Sequence, residues 1–516
     1  MHPPARRALP TWAALLVALA AGPILDAGFP DRGFWPATFV GIGLVIAALI
    51  GRTAKGGFLV GLVAGLSFYL IHIEWASTFL GLLPMIALST LESLFFGVGA
   101  IAITLAYRWV PRVWRSTRAR LLFLPVVVAG LWTAREAIAS VWPYGGFAWG
   151  RVSLSQSESP FSALFGWVGV SGTSFIMVFL VAVVVECLRL RSADRALRGI
   201  VAVGLTLLVL LVPAFPTVID GTMKVAAVQG SGPAGYFDPH EAGDLLAAQV
   251  DATLPILDEE DVDVVVWPEG GSDSSPLDSR YTAQVFDYVS EKLDAPFVSW
   301  AVTTREVDGV ETYYNTSMLW EAGEGQQDFY DKKHPVPFGE YVPDRAFWRP
   351  FAPDLIDLIG REYTPGTTDA VFDIDGIIAG INICFDIVDD QLMTDAVDQG
   401  AQIIFAQTNN ADFGRTDESV QQLAIARARA IELGRSVVNI STVGTSAIIA
   451  PDGSTMVQLP TFTPGTMIED VPLSSVTTPA VLLGRQFEWL VSGIGLLGMV
   501  LAGVLVRRDR REKTRG

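Results

Sequence analysis

The sequence predicts an α-helical membrane bundle of eight spans joined to an exported α/β domain. Three observations carry that prediction. Hydrophobic residues make up 51% of the 516 residues and the mean hydropathy is +0.41, more apolar mass than a water-soluble chain usually carries. The net charge is nonetheless −18, and the acids crowd into residues 235–475 while the apolar runs lie before 220 and after 485. Within the acidic stretch, short β-rich runs alternate with helical patterns.

A helix needs about 20 mostly apolar residues to cross the hydrocarbon core. Such runs lie near 10–28, 34–51, 57–76, 82–108, 120–140, 161–188, 196–217 and 487–506. The first also admits a signal-peptide reading, with Arg6 and Arg7 ahead of it and "ALAAG" as a cleavage-like site. The further spans that follow at once argue against it. Basic residues set the orientation. Arg6 and Arg7, then Arg52 and Lys55, then Arg108, Arg112, Arg115, Arg118 and Arg120, then Arg189, Arg191, Arg195 and Arg198, and finally the tail "RRDRREKTRG" occupy one set of alternating connections. The other set holds little more than Arg32 and Arg151. By the positive-inside rule both termini face the cytoplasm. The chain thus reads as seven helices in 1–217, an exported domain in 218–486, and an eighth helix with a basic tail in 487–516. Glu74, Glu92, Arg135 and Glu136 fall in or near spans. They read as interfacial or mutually paired groups, or as functional ones.

In the exported part, "KVAAVQG", "VDVVVWPE", "APFVSWAVTT", "YYNTSMLW", "GIIAGINICFD", "AQIIFAQTN", "SVVNISTVG" and "TSAIIAPDG" read as strands, and 240–257, 280–293, 388–399 and 418–433 as helices. Unbroken apolar strands alternating with helices indicate sheets covered on both faces. An acidic domain excludes nucleic acid as the expected partner. The two cysteines, Cys187 and Cys384, make no disulfide framework. His2, His72, His240 and His334 are too scattered for a metal site, and no P-loop, dinucleotide fingerprint or zinc spacing occurs. No metal and no organic cofactor is expected.

Three polar residues stand at the ends of apolar runs or beside them. Glu269 ends "VVVWPE", Lys332 sits in "FYDKKHPVPFGEY", and Cys384 ends the run "GIIAGINIC". Strand ends are where α/β folds collect chemistry. A thiol attacks as the thiolate; a carboxylate can take its proton and an ammonium can favour the anion that results. Each residue also has an ordinary reading: a turn cap for Glu269, a surface lysine for Lys332, a small core side chain for Cys384.

Taken in order, "VVVWPE", "YDKKHPVPFGEY" and "NICFD" resemble the carbon–nitrogen hydrolase (nitrilase) superfamily with its Glu-Lys-Cys triad. With the membrane frame the whole chain resembles the apolipoprotein N-acyltransferase family. "KVAAVQG", "PFGEYVP", "RARAIELGR", "STVGTSAII" and, between the fifth and sixth spans, "WPYGGFAWGRVSLSQSESP" extend the likeness. The resemblance implies an αββα sandwich, a plasma (inner) membrane location, and transfer of a fatty acyl chain. The donor would be a phospholipid and the acceptor the N-terminal amine of diacylglyceryl apolipoproteins. It assigns Glu269 as general base and acid, Cys384 as the nucleophile that carries a thioester, and Lys332 as oxyanion partner, with the backbone N–H of Phe385 as a candidate second donor. Glu340 matches a second glutamate of the family motif and is expected to orient Lys332 or the amine. Three departures stand out. Phe385 and Asp386 replace the usual Tyr and Glu, Asp412 takes the place of a Trp in "NNADFG", and "QQL" replaces Gln-His-Leu. The same triad would also serve a membrane-tethered amidase or nitrilase. The altered neighbours leave open an impaired scaffold for another envelope enzyme. Directly after "VPFGEYVP", the segment "DRAFWRPFAPDLIDLIG" carries Phe347, Trp348 and Phe351. It reads either as a packed loop or as a lid that touches lipid.

Overall fold

The computed structural model describes residues 9–190 and 195–515; His2, Arg6, Arg7 and Arg191 lie outside the described residues. The chain divides into two compact units, residues 1–214 with 483–516, and residues 215–482.

The first unit is helical: α1 (Thr11–Asp26), α2 (Pro36–Leu49), α3 (Ala54–His72), α4 (Leu82–Val113), α5 (Leu124–Ala139), α6 (Leu164–Arg189) and α7 (Arg195–Leu210). Five stretches are long and apolar enough to cross a membrane: Ala54–His72, Leu82–Val113, Ala119–Ala139, Leu164–Arg189 and Pro479–Lys513. The other apolar helices are shorter. α1 and α2 have 16 and 14 residues, about 24 and 21 Å at a rise of about 1.5 Å per residue. The run expected over 34–51 stops early because Ile50 turns extended and Gly51 takes φ +82°.

Small residues let α3 and α4 approach closely. A Cβ on Gly65 would meet Ser93 Cα at 2.8 Å, and one on Gly61 would meet Gly97 Cα at 3.0 Å. Gly57, Gly61 and Gly65 recur every four residues and therefore share one face. The final helix, α12 (Pro479–Arg515), is broken at Gly484. It meets α5 backbone to backbone, because a Cβ on Gly495 would lie 2.6 Å from Gly130 C and Leu131 N. Arg135 and Glu136 pair at 2.9 Å, and Glu136 Oε1 also accepts from Trp132 Nε1 at 2.8 Å and Val152 N at 3.2 Å. For these two the paired reading holds. Glu92 is buried and Glu74 exposed.

The second unit contains β1 (Gly221–Gln229), β2 (Val264–Val266), β3 (Phe297–Val307), β4 (Val310–Glu321), β5 (Gly325–Asp331), β6 (Val371–Ile374), β7 (Ile377–Ile383), β8 (Ile403–Thr408), β9 (Ser436–Ser441), β10 (Ala447–Ile449), β11 (Thr455–Gln458) and β12 (Gly465–Leu473). Its longer helices are α8 (Asp244–Thr253), α9 (Arg280–Leu293), α10 (Asp390–Asp398) and α11 (Glu418–Leu433). The strands form two six-stranded sheets, ordered β12-β1-β2-β3-β4-β5 and β11-β10-β9-β8-β7-β6. β1, β2 and β3 run parallel in one, β7, β8 and β9 in the other, and the outer strands pair antiparallel. α8 packs on β1, α9 on β3 and β4, α10 on β7 and α11 on β9 and β10, while β1 and β12 face β9. This gives helix–sheet–sheet–helix layers. Trp267, Phe286, Phe297 and Trp320 fill the core under α9 with edge-to-face ring contacts of 4.7–5.9 Å. Two buried hydrogen bonds tie the sheets together, Gln407 Nε2 to Trp267 O at 2.6 Å and Ser446 Oγ to Gln229 Oε1 at 2.5 Å.

Candidate active site

The ends of β2, β5 and β7 bring Glu269, Lys332 and Cys384 together. β2 stops where Pro268 removes the next N–H donor. The chain then turns at Gly270, φ +74°, and the Glu269 carbonyl accepts from Thr442 Oγ1. Lys332 directly follows β5, with its N–H on Asn315 O at 2.8 Å. Its side chain is 1% exposed, which sets aside the surface-lysine reading. Cys384 directly follows β7 and opens the 3₁₀ turn Cys384–Val388. Its φ of +51° is costly for a residue with a Cβ. The sharp strand-to-turn reversal leaves the thiol half-buried rather than in the core.

Lys332 Nζ lies 2.8 Å from Glu340 Oε2 and 3.9 Å from Glu269 Oε1. Glu340 is fixed from two further sides, by Val336 N at 2.6 Å and by Asn315 Nδ2 at 2.7 Å. The same Asn315 nitrogen donates to Glu269 Oε1 at 2.8 Å, and Asn315 Oδ1 accepts from Trp300 Nε1 at 2.5 Å. Asn315 thus holds two carboxylates on either side of one ammonium. It was not singled out from the sequence, where a lone Asn in "YYNTSMLW" gives no sign of what it faces.

Burial raises the Glu269 carboxyl to about 7; Lys332 opposes the shift, Glu340 adds to it, and hydrogen bonds from Asn315 and Cys384 oppose it. Burial works against the Lys332 ammonium, but Glu340 and Glu269 outweigh it and lift its pKa above the ordinary value. Burial and then the Glu269 charge push the Cys384 thiol well up, against the pull of Lys332. The resting pair is therefore a neutral thiol beside a carboxyl that titrates near neutrality, which suits proton transfer during attack rather than a preformed thiolate.

Asp386 is fully buried. Its Oδ2 accepts from Tyr330 OH at 2.8 Å and from Ile383 N at 3.3 Å, so it braces the Cys384 turn against the end of β5. Phe385 is half-buried beside it. Phe347, Trp348 and Phe351 are not drawn into this cluster. They lie around the short helices Arg345–Trp348 and Pro353–Ile356. Phe347 and Phe351 are 59% and 72% exposed, whereas Ile356 and Ile359 are buried. The Trp348 ring stacks edge-on against Phe338 at 5.7 Å, two residues before Glu340. Asp412 Oδ1 accepts from Tyr236 N at 2.6 Å, and Tyr236 OH donates to Leu358 O at 3.1 Å. The departure at 412 thus braces a loop that holds the aromatic segment. No group of three or more potential metal ligands occurs among the described residues.

Two six-stranded sheets between helices, with a carboxylate, an ammonium and a thiol at their strand ends, define the class: residues 224–479 match the carbon–nitrogen hydrolase family model. Residues 21–183 match the model of the apolipoprotein N-acyltransferase N-terminal domain. An apolipoprotein N-acyltransferase of Mycolicibacterium smegmatis is 31% identical, over 94% of this chain and 84% of that protein. One of Shewanella oneidensis is 27% identical, over 96% of each. Among solved structures, a nitrilase-superfamily amidase of Nesterenkonia AN1 is 16% identical, covers 53% of this chain and 97% of its own, and has a TM-score of 0.39. The chain belongs to the apolipoprotein N-acyltransferase family.

Proposed function

We propose that this protein is a membrane acyltransferase. It moves a fatty acyl chain from a phospholipid, through a thioester on Cys384, to the N-terminal amine of the diacylglyceryl-cysteine of apolipoproteins. The buried Glu269 and Lys332, with the half-buried Glu340 on the same ammonium and a half-buried thiol beside them, carry this reading, on a chain whose relatives over nearly its full length bear that enzyme name.

In the first half-reaction Glu269 takes the thiol proton as sulfur attacks the ester carbonyl. Lys332, held by Glu340, balances the tetrahedral oxyanion. Collapse breaks the C–O bond, and Glu269 returns the proton to the departing lysophospholipid alcohol. In the second, the amine attacks the thioester and loses a proton to Glu269. The C–S bond breaks, and the sulfur recovers that proton. Ester is exchanged for amide, so no nucleotide is consumed.

The eight spans are α1 to α7 and α12, with the basic connections and both termini in the cytoplasm and residues 218–486 outside. Impermeant labelling of a cysteine introduced at 112–118 in intact cells tests this; labelling from outside contradicts it. The chemistry is tested by incubating the full-length protein with phospholipid and mapping adducts by mass spectrometry. Acyl-Cys384 formed from phospholipid supports the transferase, hydrolysis of an amide with no acylation by phospholipid supports an amidase, and no adduct supports a scaffold. Cys384→Ala removes the adduct and N-acylation together; normal N-acylation by that variant ends the proposal.

A further inference from the structure

The "QQL" at residues 421–423 leads into a line of buried side chains that ends on the sulfur. Gln422 Nε2 donates to Cys384 Sγ at 3.8 Å. Gln422 Oε1 accepts from Asn410 Nδ2 at 2.8 Å, and the same Nδ2 donates to Glu418 Oε2 at 2.7 Å. Asn410 Oδ1 accepts from Ser441 Oγ at 2.6 Å and Thr408 Oγ1 at 3.3 Å. Ser441 Oγ itself accepts from Gly444 N at 2.9 Å, so its proton goes to Asn410. Glu418, Asn410 and Gln422 are all at most 2% exposed. Glu418 and Gln422 share a face of α11, four residues apart.

These bonds fix two amide orientations that would otherwise be free to flip. With Ser441 and Thr408 donating to the Asn410 oxygen, its NH₂ faces α11. The Gln422 oxygen must face Asn410, so its N–H faces the sulfur. We infer that Glu418 is a positioning residue for Cys384: it holds Asn410, and through it Gln422, so that an amide N–H meets the sulfur and the S–H is left to Glu269. This rests on Cys384 being the nucleophile. A donor on the sulfur favours the anion that forms during attack. Burial raises the Glu418 carboxyl to about 8, lowered somewhat by Asn410 and raised further by Glu269. At neutral pH it therefore accepts from Asn410 mostly as the uncharged acid. The titrating groups that face it are Glu269 and Cys384; a charge on Glu418 opposes the thiolate.

The test is the rate of Cys384 alkylation by iodoacetamide in the full-length protein, read by mass spectrometry so that Cys187 does not interfere. Gln422→Leu and Glu418→Ala are each expected to slow alkylation at about pH 7, where Glu418 is mostly uncharged, by roughly threefold to tenfold, the scale of one hydrogen bond. The double variant should be no slower than the slower single one, because both act through one contact. Glu418→Gln should recover most of the loss. Parental reactivity of Gln422→Leu, or effects that multiply, overturns the inference. Should Glu418→Ala not fold, Glu418→Gln decides in its place. At about pH 9, one unit above the Glu418 value, it should alkylate faster than the parent, and a superimposable pH profile overturns Glu418's part. Either failure, with Cys384-dependent N-acylation intact, leaves the proposed function standing.

Discussion

Glu269 and Glu418 are both buried carboxyls raised by desolvation, to about 7 and about 8, yet the proposed mechanism asks only Glu269 to be ionised. Acylation, measured as kcat/KM for the phospholipid, should fall by about tenfold per pH unit below 7 as Glu269 takes up its proton. A flat profile down to about pH 5 removes Glu269 as the base. Asp386 makes a different demand. Asp386→Ala strands the Tyr330 hydroxyl and the Ile383 N–H, about 1–3 kcal/mol for each buried group left unpaired. Both acylation rate and melting temperature should drop; an unchanged rate of Cys384 acylation would make the brace irrelevant to chemistry. Asp386→Glu forces an extra methylene into a closed pocket and should recover the hydroxyl contact only in part. At this scale the sequence was legible where a residue ends an apolar run, as Glu269 and Cys384 do. Asn315 and Asn410 were not, because they lie within or just beyond strands and their partners come from distant segments.

The alternation of apolar runs located β1 to β4, β7 to β10 and the four longer helices α8 to α11 of the second unit, but not the short helices Arg345–Trp348 and Pro353–Ile356. It missed β5, β6, β11 and β12. "GQQDFYD" and "GTMIEDVPL" are mixed in polarity, because β5 and β12 lie at sheet edges with only part of their surface covered. The short outer strands β6 and β11 have four residues each, too few for a period to show. The aromatic segment at 344–360 is neither of the two alternatives alone. Ile356 and Ile359 anchor it, Arg345 clamps the Ile356 and Ile359 carbonyls at 3.0 and 2.5 Å, and Phe347 and Phe351 remain outside. The proposal that this segment meets lipid places the exposed Phe347 and Phe351 rings against the bilayer surface. Trp348→Asp with Phe351→Asp should therefore slow acylation from bilayer phospholipid far more than from a soluble short-chain ester. Equal losses on both donors would return the segment to a packed loop.

Across the whole molecule, the raised carboxyls make stability depend on pH. A carboxyl whose folded pKa stands above its unfolded value stabilises fully below the unfolded pKa and loses that contribution as pH rises through the folded one. For Glu418 the window runs from about 4.5 to about 8. The melting temperature of Glu418→Gln, followed from about pH 5 to pH 8.5, should fall less steeply than the parent's; parallel curves would show that Glu418 does not titrate in that window. The apolar runs and their basic flanks were readable from the sequence because hydropathy is a local property. The contact of Gly130 with Gly495 was not, because it joins residues far apart in the chain and leaves no pattern in either segment. The pairing of β1 with β12 has a mechanical consequence. It begins at Gly221 with Leu473, Asp220 N reaches Leu473 O at 2.9 Å, and Ser475 N reaches Asp220 Oδ2 at 2.7 Å. The second unit's two connections thus leave side by side from one end of an antiparallel ladder. Pulling those connections apart peels the ladder open one rung at a time, instead of shearing all its rungs at once. On the later connection the bonds of Thr478 to Glu432 O and of Arg435 to Val476 O take the load first, and Asp220 after them.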